Sequence, residues 1–414
     1  MKKNISRNKK YSKKRIKSKK KKENNLHFIP FNYSKNIKFI LLFFILLIIG
    51  YFHLCYMKFH SLSYELRVSK NYKSFNQIKS KQTDPFFCKI LREIRIIKHL
   101  FSNRINSYKK RKNIIHITVG LNNNENYKYI LLVSMYSLLS NCNTKTFVIY
   151  HILCTPDFNE SSVDIFKSLM NKFYSNVEMI FYNMGNIFEN RKKTFHSLAT
   201  FYRIVGSVFI DSDRLIHLDG DTLTFSDLSE MYNLDFNDNY ILGLYDYLSY
   251  GVDYLGIKSK IYINAGVILI NLKKIREDNK TIELINMANS NMTLSNEDQT
   301  IFNYVFYPKI GRLPSKYAIF NFEDKSDIKV YIKSLRTKIP YEEVKEAFKN
   351  PIIIHQVLCY PKPWYVNNVY TKAVTNCAKR RDCSCKKYFD IWHSFANHTD
   401  YYGEISKFTG IKKL

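Results

Sequence analysis

From Asn113 onward, short β-rich runs alternate with stretches of helical periodicity, and this alternation restricts the possible folds more than any other feature of the chain. IIHITVG reads as a strand and ENYKYILLVSMYSLLSN as a helix; TFVIYHIL is a second strand, SSVDIFKSLMNKFY a second helix and VEMIFYN a third strand. A helix about Ser197–Phe209 and the apolar strand Arg214–Leu218 follow. Strands and helices alternating at these lengths imply an α/β domain: a mostly parallel, Rossmann-like sheet with helices on both faces. In such sheets ligands bind beyond the carboxyl ends of the strands, so chemistry is to be sought in the residues that follow each strand. No internal repeat interrupts the series.

The segments ahead of Asn113 differ in kind. The chain has 414 residues and a formal net charge of +30. Residues 1–38 hold fifteen Lys and Arg against one acid, Glu23, and residues 58–112 hold fifteen against three, Glu65, Asp84 and Glu93. The remainder is close to neutral, so a basic groove tracking phosphates is not indicated and no nucleic-acid partner is expected. Between the two basic segments runs FILLFFILLIIGYFHLCYM (39–57), uncharged and mostly apolar. A bilayer core takes roughly 20 such residues as one helix. A cleaved signal peptide has an apolar region of only about 7–15 residues and a small-residue cleavage site. The run matches the bilayer length and is too long, with no small-residue cleavage pattern, for a cleaved signal peptide, so a retained signal-anchor is expected. The lysines ahead of it keep the N-terminus cytosolic.

The expected organisation is therefore a disordered cytosolic tail (1–38), a transmembrane helix (39–57), a basic stem (58–112), the α/β domain (113–370) and a Cys-containing extension (371–414). This is a single-pass type II membrane protein whose bulk lies in the lumen of the Golgi or another secretory compartment. Within the stem, Phe87, Ile90, Leu91, Ile94, Ile97 and Phe101 stand at helical spacing. That pattern suits a packing helix, a membrane-surface helix or a helix joining two stems in a homodimer. Cys377, Cys383 and Cys385 crowd one stretch with His393 close behind. In an oxidising lumen a disulfide pair is expected there ahead of zinc, with the pairing open. Sequons at Asn159, Asn279, Asn291 and Asn397 permit glycosylation.

The sharpest chemical feature is LIHLDGDTLTF. A strand runs straight into Asp219, Gly220 and Asp221. Two carboxylates separated by one small residue at a strand end can share a hard cation, Mn²⁺ or Mg²⁺, which can also bridge a diphosphate. Gly220 would let the backbone approach a ligand closely. A solvated acidic turn is the plain alternative. A phosphatase of the haloacid dehalogenase type would place a residue between its second Asp and the Thr, whereas Thr222 follows Asp221 directly.

Further stretches occur in a fixed order: FYRIVGSVFIDSDRLIHLDGDTLTFSDLSEMYNLD, YINAGVILINLKKIRED, EDQTIFN and IIHQVLCYPKPWY. The series resembles the successive motifs of the retaining glycosyltransferases of family eight, over roughly Asn113–Tyr365. The resemblance implies a GT-A fold and transfer of a hexose, glucose or galactose foremost, from a UDP-sugar to a glycan, glycoprotein or glycolipid acceptor. By position it makes Asp219 and Asp221 ligands of Mn²⁺ or Mg²⁺, with His355 the third. Lys362 matches the lysine that meets the diphosphate, and Arg203 a basic residue near the donor, against which stands an ion pair with Asp213. Asn264 matches a residue that hydrogen-bonds the transferred sugar, and Asp298 and Gln299 the catalytic pair beneath it. Thr118 and Tyr127 are the candidates for uridine contacts, the tyrosine offering a ring face.

Two departures stand out. His355 lies seven positions before Lys362, where the family has six, with no Gly between; a one-residue bulge would absorb the difference. The first strand-loop, ITVGLNNNENY, is also longer than usual. No carboxylate is assigned to the face opposite the leaving group, and an amide is a poor nucleophile, so a front-face route is expected rather than double displacement. Two other classes remain open: a membrane-anchored carbohydrate-binding protein that keeps the fold without turnover, and a basic membrane-surface adaptor resting on residues 1–112 alone.

Overall fold

A computed structural model describes residues 93–100, 113–173, 176–188, 191, 197–246, 252–290, 294–322, 325–357, 362–364 and 384–409. The chain divides into two compact units, Met1–Lys70 and Asn71–Leu414, and all described residues lie in the second. The basic tail, the 39–57 run, most of the stem, Asn291, Cys377 and Cys383 fall outside the described residues. Among those described, no helix is long and apolar enough to cross a membrane.

The core is an eight-stranded sheet in the order β1-β4-β3-β2-β5-β8-β7-β9. Its strands are β1 (Arg95–Leu100), β2 (Asn113–Leu121), β3 (Thr146–Cys154), β4 (Val177–Asn183), β5 (Arg214–Leu218), β7 (Ile241–Tyr245), β8 (Ile263–Asn271) and β9 (Ile310–Arg312). β1 and β8 run against the rest, so the sheet is mostly parallel, as the alternation implied. Every residue of β3 is buried, and all but the last of β8. Successive side chains point to opposite faces, so both faces are covered. A second, three-stranded sheet joins β6 (Thr222–Thr224), β10 (Ile319–Phe320) and β11 (Ile353–His355).

The helices are α1 (Glu125–Asn141), α2 (Val163–Phe173), α3 (Gly206–Phe209), α4 (Ser229–Tyr232), α5 (Leu272–Glu277), α6 (Lys280–Asn289), α7 (Glu297–Val305), α8 (Lys325–Ser334), α9 (Tyr341–Lys349), α10 (Ser384–Asn397) and α11 (Tyr402–Thr409). The segment expected as one helix about Ser197–Phe209 is a 3₁₀ helix over Leu198–Val205, capped by the Ser197 side chain, that passes into α3. Ten consecutive residues of α1, Ile130–Leu139, are buried. A helix apolar all round needs cover on both sides: the sheets lie along one side, and α10 and α11 pack against it as well.

The helical expectation for residues 87–101 is corrected over its described part. Arg95–Leu100 is a strand, paired antiparallel with β4 from Arg95↔Asn183 to Leu100↔Met179. β4 would otherwise be an edge with unpaired backbone groups, and β1 satisfies them, which a helix could not do. The sheet thus extends into the segment read as stem.

Candidate active site

Asp219 and Asp221 leave the carboxyl end of β5 through a turn fixed by hydrogen bonds to the Asp219 backbone. The Asp219 N–H donates to the Gly266 carbonyl at 2.7 Å, and the Thr222 hydroxyl returns to the Asp219 carbonyl at 2.9 Å. β6 then pairs antiparallel with β11, setting Thr222 opposite His355. This pairing brings residues more than 130 positions apart onto one point. His355 Nε2 lies 3.0 Å from Asp221 Oδ1 and 3.7 Å from Asp219 Oδ2, and one ligand atom from each of the three residues falls within 4.8 Å of the others. One imidazole and two carboxylates are a donor set that could hold a divalent metal ion.

Gly266 on β8 explains why the three can meet. A Cβ there would stand 2.1 Å from His355 Cε1 and 2.6 Å from Asp219 Oδ2. Gly220 also has a packing task. Its missing Cβ makes room for Tyr127, whose hydroxyl would lie only 2.6 Å from it. Asn124 caps α1 by accepting from the Asn126 and Tyr127 amides, which puts Tyr127 in the first turn against the Asp-Gly-Asp loop.

The electrostatics keep both aspartates ionised. Burial alone would raise Asp219, but the Arg203 guanidinium, 3.1 Å from Oδ1, and the hydrogen bond from His217 outweigh it and hold the carboxyl well below its usual range. For Asp221, Lys362 and His355 outweigh burial in the same way. Lys362 Nζ donates to Asp221 Oδ2 at 2.8 Å and also to the Gln356 carbonyl. Despite the altered spacing, Lys362 and His355 therefore converge on one carboxylate; residues 358–361, where the bulge would sit, lie outside the described residues.

Arg203 does not pair with Asp213, which is met by Arg276 at 3.3 Å. Buried, it donates to the Ala265 carbonyl at 2.7 Å and the Thr200 carbonyl at 3.0 Å, with Nε 2.7 Å from Asp298 Oδ2. Burial pushes Asp298 up to about 7, against the pull of Arg203. Gln299 accepts the Ala265 amide at 3.0 Å, and Asn264 accepts the Gly266 amide at 2.9 Å. Thr118 is fully buried within β2, opposite His217 of β5, and its hydroxyl donates to the His151 carbonyl at 3.1 Å.

Two further residues belong to this group. Asp246, at the end of β7, accepts from Asn264 Nδ2 at 2.9 Å and from Gln299 Nε2 at 3.3 Å through one oxygen. Its signal was positional: like Asp219, it is an acid directly after an apolar strand. His217 sits inside the apolar LIHL, a polar residue in a buried strand. Burial, then Arg203, lowers its imidazole to about 4, so it is neutral and donates from Nε2 to Asp219 Oδ1 at 3.0 Å.

Residues 116–367 match the family model described as glycosyl transferase family 8. A putative glycosyltransferase of Haemophilus influenzae is 29% identical over 208 residues, covering 47% of this chain and 60% of that protein. A lipopolysaccharide 1,2-glucosyltransferase of Escherichia coli is 24% identical over 222 residues, covering 49% and 63%. The chain thus spans less than two thirds of the length of either. Among solved structures, galactosyltransferase LgtC in complex with donor and acceptor sugar analogs superposes with a TM-score of 0.52 at 19% identity, covering 70% of this chain and all of that one. The apo bifunctional glycosyltransferase WbbM gives 0.57 at 18%, covering 72% and 52%. These likenesses give the architecture as a GT-A-like α/β fold.

The expected Golgi lumenal, type II placement is corrected by these findings. The Haemophilus influenzae and Escherichia coli relatives are bacterial glycosyltransferases, not Golgi type II proteins. The apolar 39–57 run that carried the expectation is an observation about composition alone, outside the described residues.

Proposed function

The chain belongs to glycosyl transferase family 8, and we propose that it moves a hexose, glucose or galactose, from a UDP-sugar to a glycan, glycoprotein or glycolipid acceptor with retention of anomeric configuration. The observation that most supports this reading is the convergence of Asp219, Asp221 and His355, with Lys362 at the same carboxylate. Mn²⁺ or Mg²⁺ held by Asp219, Asp221 and His355 would supply positive charge against the leaving diphosphate. Lys362, already at the rim of that cluster, adds a second cation to the same group as its charge develops.

The amides of Gln299 and Asn264, both fixed on Asp246, are the groups available to orient the sugar; Arg203, paired with Asp298, donates to the carbonyl of Ala265, whose N–H Gln299 accepts. In the front-face route the C1–O bond to the diphosphate breaks and the acceptor oxygen bonds to C1 on the same side. The acceptor's proton passes to the departing phosphate oxygen. Incubating the full chain with each UDP-sugar and Mn²⁺, and measuring released UDP, tests the reading. Release is expected with at least one UDP-hexose and should cease in excess EDTA; full turnover in EDTA would overturn it.

A further inference from the structure

The short stretch that carries Lys362 is held by the C-terminal helices. His393 on α10 makes a 3.0 Å hydrogen bond to the Pro363 carbonyl, and the Trp392 ring packs on Trp364 at 5.6 Å between centroids. Proline has no backbone N–H, so its carbonyl is the only backbone group by which that residue can be anchored. His393 is fully buried, between the rings of Phe389 at 4.1 Å and Trp392 at 4.9 Å. Burial lowers its imidazole to about 4, leaving a neutral ring with one N–H. A carbonyl only accepts, so that proton is on Nε2.

The same helix reaches the other half of the Asp221–Lys362 pair. Trp392 and Ala396 share an apolar cluster with Ile130 and Val133 of α1 and with Leu223, two residues beyond Asp221. Phe395 of the same helix packs on Phe225 at 5.7 Å between ring centroids, so α10 touches both chain segments whose side chains meet at 2.8 Å.

We propose that His393 is a positioning residue for the donor diphosphate: its bond to Pro363 fixes the backbone beside Lys362 and so keeps the ammonium at the Asp221 side of the cluster. This rests on the nucleotide-sugar reading of the site. Lys362 has a long flexible stem, and a flexible backbone beneath it would add to the ordering cost of every diphosphate bound.

The test is calorimetric titration of UDP into the full chain with saturating Mn²⁺, alongside titration of Mn²⁺ alone. His393→Phe keeps an aromatic ring against Phe389 and Trp392 but removes the donor. It should weaken UDP binding about five- to tenfold, the scale of one hydrogen bond, and leave Mn²⁺ affinity unchanged. His393→Gln, which can present an N–H to Pro363, should return binding to within about threefold of wild type. In a Lys362→Met background, His393→Phe should change binding less than about twofold, because the two residues act through one contact. Wild-type binding by folded His393→Phe would overturn the proposal, and so would an equal loss in the Lys362→Met background. If His393→Phe does not fold, His393→Asn, too short to reach Pro363, enters the same cycle with the same outcomes. A wild-type chain that binds Mn²⁺ but no UDP would remove the proposal together with the donor reading.

Discussion

Asp219 divides its two oxygens between separate tasks. Oδ1 takes Arg203 at 3.1 Å and His217 at 3.0 Å, and Oδ2 faces His355 at 3.7 Å. The pair on Oδ1 holds the carboxylate charged and oriented without occupying the oxygen nearest the imidazole. Asp219→Asn or Asp221→Asn should abolish donor turnover while the fold persists, since each removes a ligand charge at an open strand end. Normal rates in either variant, measured as released UDP, would take the cluster out of the chemistry. Gln299→Ala should slow transfer by about 10²–10³, the scale for losing one hydrogen-bond donor to developing charge, whereas a covalent nucleophile would be near-essential. A sugar ester trapped on Asp246 would leave the family standing and rule out the front-face route. The two aspartates were legible because they adjoin in sequence. Asp246 was not, because its partners Asn264 and Gln299 come from 18 and 53 residues away, and only the packing of β7, β8 and α7 brings them together.

At the level of elements, the site is built where β5, β8 and the β6–β11 ladder meet, and Gly266 is the tightest point of that junction. Gly266→Ala would drive a methyl into His355 and Asp219, so it should cost about 1–3 kcal/mol by overpacking and lose Mn²⁺ binding in a folded protein. Thermal unfolding with Mn²⁺ titration reads both effects, and unchanged metal affinity would refute the close approach. The strand-helix alternation was visible from residue 113 because each run is long and periodic. Its start was not. RIIKHL keeps helical spacing with the residues ahead of it, yet forms β1, since the open edge of β4 outweighs a local preference. α1 shows a second limit: its helicity is evident in ENYKYILLVSMYSLLSN, but its burial on every side depends on α10 and α11, whose packing no local pattern reveals.

Across the whole molecule, buried imidazoles set a stability window. His116 donates to or accepts from His151 at 3.0 Å, and His151 in turn meets the Tyr182 hydroxyl at 3.1 Å, a chain crossing β2, β3 and β4. Burial lowers His116, like His393, from 6.5 to about 4. Between those values the unfolded chain binds more protons than the folded one, so this stability is complete above pH 6.5 and is lost as pH falls toward 4. Asp298, raised to about 7, works in the opposite sense and offsets part of this. The two imidazoles together outweigh it, so the melting midpoint should decline through that window, and a flat profile would contradict it. The +30 charge has no part in this, since most of it lies before Asn113. The central claim, that this fold transfers a sugar with retention from a nucleoside-diphosphate donor, is tested most directly by NMR of the product's anomeric centre. An α-linked product from an α-linked UDP-sugar is the predicted result; a β-linked product would contradict it.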